Sequence, residues 1–290
     1  MALSSELCTV LAREPIDLPR AALVIAKLEY PNLDPRQSLT ALERLGARAA
    51  ERLAAQAMAP LRDRIAELNR LLFDEENFAG NRAHYDDYRN SLLNVVLERR
   101  LGIPISLAVI YMEVARLAGL DVRGVAFPGH FLLRVSGDAS SRDGTDDADT
   151  VILDPFNRGV EVDELGCRAL LARQAGDDAP FDGHLLEPCT TRQLLARMLN
   201  NLKRTYIEQR SFPQARHATD LLLAVDPTLH SERRDRGLLA YHLDDFPAAL
   251  HDLEDYLRLS GTAAEASDHE ERDQLWEHVQ TLRRRVAGLN

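Results

Sequence analysis

From residue 39 onward the apolar positions Leu39, Leu42, Leu45, Ala49 and Leu53 recur at three- and four-residue steps, a pattern that predicts one stripe along a long helix. Helices are expected throughout residues 4–73. Asp17 is placed to cap one of them with Pro19 in its first turn, and Pro31 and Pro35 mark its exit. Periodicity then breaks: residues 77–88, NFAGNRAHYDDY, mix polar and aromatic side chains and predict a surface loop. A helix is expected over residues 91–100, stopped by Gly102 and Pro104, and another over residues 105–118, ending at Gly119. Apolar residues nearly encircle this second helix, which places it in a core with Ser106 in its first turn. Beyond it, VRGVAFPGHFLLRV and VILDPF are rich in β-branched and apolar residues. They predict two neighbouring strands joined across the polar run SGDASSRDGTDDADT.

After Thr191 the pattern is helical again, and it repeats. SFPQA at Ser211 returns as DFPAA at Asp245, an offset of 34 residues that is the tetratricopeptide period. Tyr206, Ala215 and Pro227 match the aromatic, small and terminating positions of a first copy, and Gly237 and Ala249 match small positions of a second. A linker, SGTAAEAS, leads to a last helix over residues 268–287 with Leu275, Val279, Leu282 and Val286 on one face, as a capping helix would have. Hairpins of this kind form a concave surface for a peptide or helix, or serve as a buttress for the preceding domain.

Composition narrows the partners. The 290 residues, 45% of them hydrophobic, can bury a core that needs no metal or disulfide. A net charge of -11 with no basic block argues against nucleic acid and anionic membranes as partners. No stretch reaches the length of a membrane span, and residues 1–15 lack a signal-peptide pattern. Cys8, Cys167 and Cys189 form an odd, widely spaced set that frames neither disulfides nor a metal site, so a cytoplasmic protein is expected. No cofactor is implied. The acidic residues 138–149 miss the calcium-loop spacing, and His184 and Cys189 lack a second pair of zinc ligands.

The candidate chemistry lies in Ser106, His130 and Asp154, which are 24 residues apart in each step and fall at a helix start, in a strand and at the end of the next strand. The order nucleophile, histidine, acid is that of papain-like and transglutaminase-like enzymes, not the order of α/β-hydrolases. The run LLNVVLERRLGIPISLAVIYMEVARLAGLDVRGVAFPGHFLLRV, followed by VILDPFNRG, resembles the bacterial SirB-type (YchA-like) transglutaminase-like proteins, which also end in tetratricopeptide repeats. The resemblance spans essentially the whole chain. It implies an α+β fold: a transglutaminase-like, papain-like core with helices on one side of an antiparallel sheet, a helical N-terminal region and a helical repeat tail. Three parts are expected: residues 1–76 packed on the core, the core at 77–188, and two repeats with a capping helix at 189–290.

Ser106 stands where transglutaminase-like enzymes keep a cysteine, and Cys167 and Cys189 follow Asp154 in the wrong order to replace it. A thiol at a helix N-terminus beside histidine is readily ionised, whereas a hydroxyl must lose its proton during attack. The sequence therefore favours a non-enzymatic or weakly active factor that works through protein or peptide partners bound by its tail. The alternative is a serine-dependent amidase, peptidase or acyltransferase. In it Ser106 attacks, His130 moves the proton, Asp154 orients the imidazole, and Asn90 or Asn94 adds an oxyanion donor.

Overall fold

A computed structural model describes residues 2–137, 150–260 and 269–287. Two compact units emerge, one formed by Arg13–Met198 and the other by Met1–Ala12 with Leu199–Asn290. Contacts thus group the chain differently from the three-part division expected at 76/77 and 188/189. The short helix α1 (Ala2–Leu11) packs on a helix of the tail, and the helices between residues 13 and 190 share one unit with the sheet.

In the larger unit, α2 (Leu18–Ala26) is capped as expected: the Asp17 carboxylate accepts the Arg20 N–H, and proline sits in the first turn. Asp34 caps α3 (Pro35–Ala54) in the same way, and Leu42, Leu45, Ala49 and Leu53 are buried along its predicted stripe. Next, α4 (Leu61–Asn69) continues into a π-helical turn, Arg70–Glu75. The strand β1 (Ala79–Gly80) and helix α5 (Leu93–Arg99) follow. Then come β2 (Leu101–Gly102), parallel to β1, and α6 (Pro104–Leu117). Pro104 through Tyr111, Val114 and Ala115 are all buried, so α6 is the core helix that its composition predicts.

The stop before α6 differs from expectation. Arg100, at φ 63°, takes the left-handed cap of α5, and Gly102 lies in β2, where a Cβ would come within 2.7 Å of Ser106 Oγ. The two expected strands are four: β3 (Val122–Val125), β4 (Leu132–Ser136), β5 (Thr150–Asp154) and β6 (Val160–Glu161), antiparallel in that order. Pro128 and Gly129 break the longer segment. Gly129 has φ +67° and the His130 N–H donates to Phe127 O at 3.1 Å, closing a turn that leaves His130 just ahead of β4 instead of within a strand. The acidic residues 138–149 between β4 and β5 lie outside the described residues. Cys167 and Leu171 of α7 (Glu164–Ala175) pack with Val125 and Leu132 of the sheet and with Phe127 just after β3.

Helix α8 (Thr191–Glu208) contributes residues to both units. The tail continues with α9 (Phe212–Val225), α10 (His230–His242), α11 (Phe246–Ser260) and α12 (His269–Ala287); α1 packs on α9. The repeat is in phase with this structure, since Phe212 and Phe246 open α9 and α11. Ala215 and Ala249 are fully buried, and a Cβ on Gly237 would lie 2.8 Å from Leu253 Cδ2, which explains the small residues at these positions. Lys203 Nζ joins the repeats by bonding Glu232 Oε2 at 2.7 Å and Asp235 Oδ2 at 2.8 Å. Leu275, Val279 and Leu282 of α12 close the cluster over Leu253 and Leu257. Residues 261–268, which hold the linker after its first serine, lie outside the described residues.

The crossing of α3 and α6 is tight. A Cβ on Gly46 would sit 2.5 Å from Leu117 Cβ, which belongs to a packed helix and cannot swing away. Gly46→Ala gains about 0.5–1 kcal/mol of helix propensity but forces the helices apart. A net loss of about 1–2 kcal/mol is expected in urea unfolding. A stabilised variant would show that this crossing is not close-packed.

Candidate functional site

The three sequence candidates separate into a structural hydroxyl and a histidine–carboxylate pair. Ser106 lies in the first turn of α6 and is 0% exposed. Its Oγ accepts the Ile103 N–H at 3.1 Å and donates to Asn90 O at 2.6 Å, with Ile103 O also at 3.1 Å. These partners are all backbone groups. No hydrogen bond joins Ser106 to His130 among the described residues.

Asn90 and Asn94 also differ from their expected part. Asn90 is 0% exposed; its Nδ2 donates to His84 O at 2.7 Å and Tyr85 O at 3.2 Å, and its Oδ1 accepts Asn81 Nδ2 at 3.0 Å. Its amide is committed to holding the 77–88 loop. Asn94 is half-buried, and among the described residues its Oδ1 has no hydrogen-bond partner.

His130 and Asp154 do meet. His130 Nε2 lies 2.9 Å from Asp154 Oδ2, within ion-pair range although off the angle of a hydrogen bond. Asp154 closes β5 and caps the 3-10 turn Pro155–Asn157, accepting the N–H groups of Phe156 at 2.9 Å and Asn157 at 3.2 Å, while Asn157 Nδ2 donates at 2.6 Å. Burial pushes the Asp154 carboxyl up, but the contact and charge of His130 and the Asn157 donors outweigh it and hold the group below its ordinary value. The turn is pinned from the helical side: Asn69 Nδ2 donates to Gly159 O at 2.9 Å, and the buried Tyr111 hydroxyl donates to Asn69 Oδ1 at 3.0 Å.

Around His130 stand groups that the sequence did not single out. Phe156 meets the imidazole edge-on with centroids 6.3 Å apart, and Tyr85 meets Phe156 at 5.7 Å. The Arg82 guanidinium lies 5.1 Å from the Phe156 centroid and bonds Asn157 Oδ1. Arg197 donates to His130 O at 2.6 Å from α8. The polar and aromatic character of NFAGNRAHYDDY is the one sequence signal for Arg82 and Tyr85; Arg197 sits among leucines of a helix and gives none.

The cysteines do not supply a poised nucleophile here. Burial, with Asp163 and Glu164 nearby, pushes the Cys167 thiol up to about 11, and burial also raises that of Cys189, whose N–H pairs with Gly124 O at 2.8 Å. His184 is exposed, with Nδ1 2.7 Å from Glu187 Oε1.

A buried helix end, an antiparallel sheet and a histidine facing an acid at the end of the neighbouring strand define a transglutaminase-like protein with a repeat tail. The transglutaminase-like superfamily model matches residues 36–200, and a tetratricopeptide repeat model matches residues 202–274. Within that superfamily the chain belongs to the UPF0162 family: it is 38% identical over 249 residues to a UPF0162 protein of Xylella fastidiosa strain Temecula1, covering 85% of each chain. It is 32% identical over 259 residues to a UPF0162 protein of Pseudomonas aeruginosa, covering 88% of this chain and 89% of that one. Human F-box only protein 21 is 32% identical over 184 residues, 62% of this chain and 28% of the F-box protein. No solved structure matches.

Two outcomes follow from this geometry. Ser106→Ala leaves the Ile103 N–H and Asn90 O buried without their partner, and a loss of about 2–3 kcal/mol is expected in urea unfolding; a loss under about 0.5 kcal/mol would contradict the capping role. Asp154 contributes stability that is present above the ordinary carboxylate value of about 3.9 and is lost as pH falls through its lower folded value. The stability gap between wild type and Asp154→Asn should therefore close in strong acid. A gap constant down to about pH 2 would show that its carboxyl is not held low.

Proposed function

We propose that this protein is a transglutaminase-like protein that acts by binding other proteins, with Ser106 serving the fold and not a reaction. The observation that carries this reading is the Ser106 hydroxyl: fully buried, with its proton directed at Asn90 O and a lone pair taken by the Ile103 N–H. Attack would require breaking both bonds inside the core. The tetratricopeptide repeats support a protein or peptide partner. In the described residues no helix is long and apolar enough to cross a membrane. Together with three widely spaced free cysteines, we read the protein as cytoplasmic.

The 2.9 Å approach of His130 to Asp154 favours a second reading, a serine hydrolase or acyltransferase in which rearrangement of the first turn of α6 frees Ser106. Fluorophosphonate labelling separates the two. The folded protein is expected to remain unlabelled, and Ser106→Cys to react with iodoacetamide no faster than an ordinary thiol. Labelling abolished by Ser106→Ala would establish the hydrolase reading instead. For the interaction itself, affinity capture with the full chain and with a form ending at Met198 should give partners that depend on the tail; no specific partner with either form would end the proposal.

A further inference from the structure

We infer that the face of the larger unit around His130 is a binding site for an oxyanion, a carboxylate or phosphate group of a ligand, formed by Arg82 and Arg197. The chain carries 46 acidic against 35 basic residues, so carboxylate partners for its arginines are plentiful. Arginines close in sequence to the site are paired: Arg89 and Arg99 with Asp87, Arg100 with Glu76, and Arg158 with Asp74. Among the described residues neither Arg82 nor Arg197 forms an ion pair. Arg82 lies over Phe156 and bonds the neutral amide of Asn157; Arg197 lies 5.8 Å from the Phe131 centroid and bonds the His130 carbonyl.

Both guanidinium groups reach the same histidine, one through Phe156 and one through the His130 backbone. Each is bonded to a neutral oxygen, and the nearby Asp154 carboxylate is already taken up by His130 and the Asn157 donors. Arg197 is also half-buried, and burial disfavours its charged form. An incoming oxyanion would restore what that desolvation removes, and the planar donor fork of arginine suits carboxylate and phosphate alike. Access is open on the side of Arg82 and Tyr85, both exposed, and His130 itself keeps 14% of its side-chain surface. The recess of about 300 Å³ that Asp154 also lines has Glu161 and Asp163 against one arginine, Arg173, so its charge does not favour such a ligand. This site does not depend on whether Ser106 reacts, so its test is separate from fluorophosphonate labelling.

Calorimetric titration of the full chain decides it, with sodium phosphate in one arm and a capped peptide amide bearing one glutamate in the other. The glutamine version of the peptide is the control. Saturable binding of phosphate assigns a phosphate-bearing ligand, and binding of the glutamate peptide alone assigns an acidic chain. In either case Arg82→Gln and Arg197→Gln should each weaken binding about tenfold or more, while Arg44→Gln, on the exposed face of α3, leaves it unchanged. Circular dichroism melting checks the fold; should Arg197→Gln melt early, the exposed Arg82→Gln decides alone. No saturable binding of either oxyanion, equal binding of the glutamine peptide, or undiminished affinity in Arg82→Gln would overturn the inference.

Discussion

A helix that begins inside a protein core leaves backbone N–H groups with no water to satisfy them, and α6 is such a helix. Pro104 removes one donor from its first turn, but Ile103, at the N-cap, has no polar side chain to offer. Ser106 supplies part of the missing cap by accepting the Ile103 N–H, and spends its own proton on Asn90 O. One hydroxyl thereby fastens two chain segments, residues 90 and 103, to the same point. Asn90 extends the fastening outward through His84, Tyr85 and Asn81, so the loop that brings Arg82 and Tyr85 to Phe156 rests on the start of α6.

That constraint sets the chemistry. Leaving either backbone group unpaired costs about 1–3 kcal/mol, and a serine that leaves its partners to attack a substrate incurs the cost twice before any bond is made. A thiol, a weak donor and acceptor, would give up far less. On the proposed reading, serine at this place is held as a fixed cap. His130 and Asp154 keep their mutual contact because Asp154 has structural work of its own, capping the Pro155–Asn157 turn that Asn69 and Tyr111 support from α4 and α6. A histidine–carboxylate pair can thus persist as part of the fold and still border the surface inferred to take an oxyanion.

Much of this was legible in the sequence because it follows from periodicity. The stripe on α3, the encircled apolar pattern of α6 and the 34-residue recurrence of Phe212 at Phe246 report burial directly. The positions of Ser106 at a helix start and Asp154 at a strand end were also readable. What escaped was long-range or conformational. Pro128 and Gly129 read as part of one apolar run until the turn at His130 divided it, and Arg100 took a left-handed cap that glycine would ordinarily hold. The direction of the Ser106 hydroxyl depends on a carbonyl 16 residues earlier. Arg197 reaches the site from a helix 67 residues after His130, a juxtaposition that no local pattern encodes.

Amide hydrogen exchange tests the structural role of Ser106 most directly, because it reads the two backbone segments that the hydroxyl joins. Ser106→Ala should lose protection at Ile103 and across residues 81–91 beyond any global change, while the Asn69-supported turn after Asp154 stays protected. Protection at Ile103 and residues 81–91 that matches the wild type, once global stability is accounted for, would contradict that role.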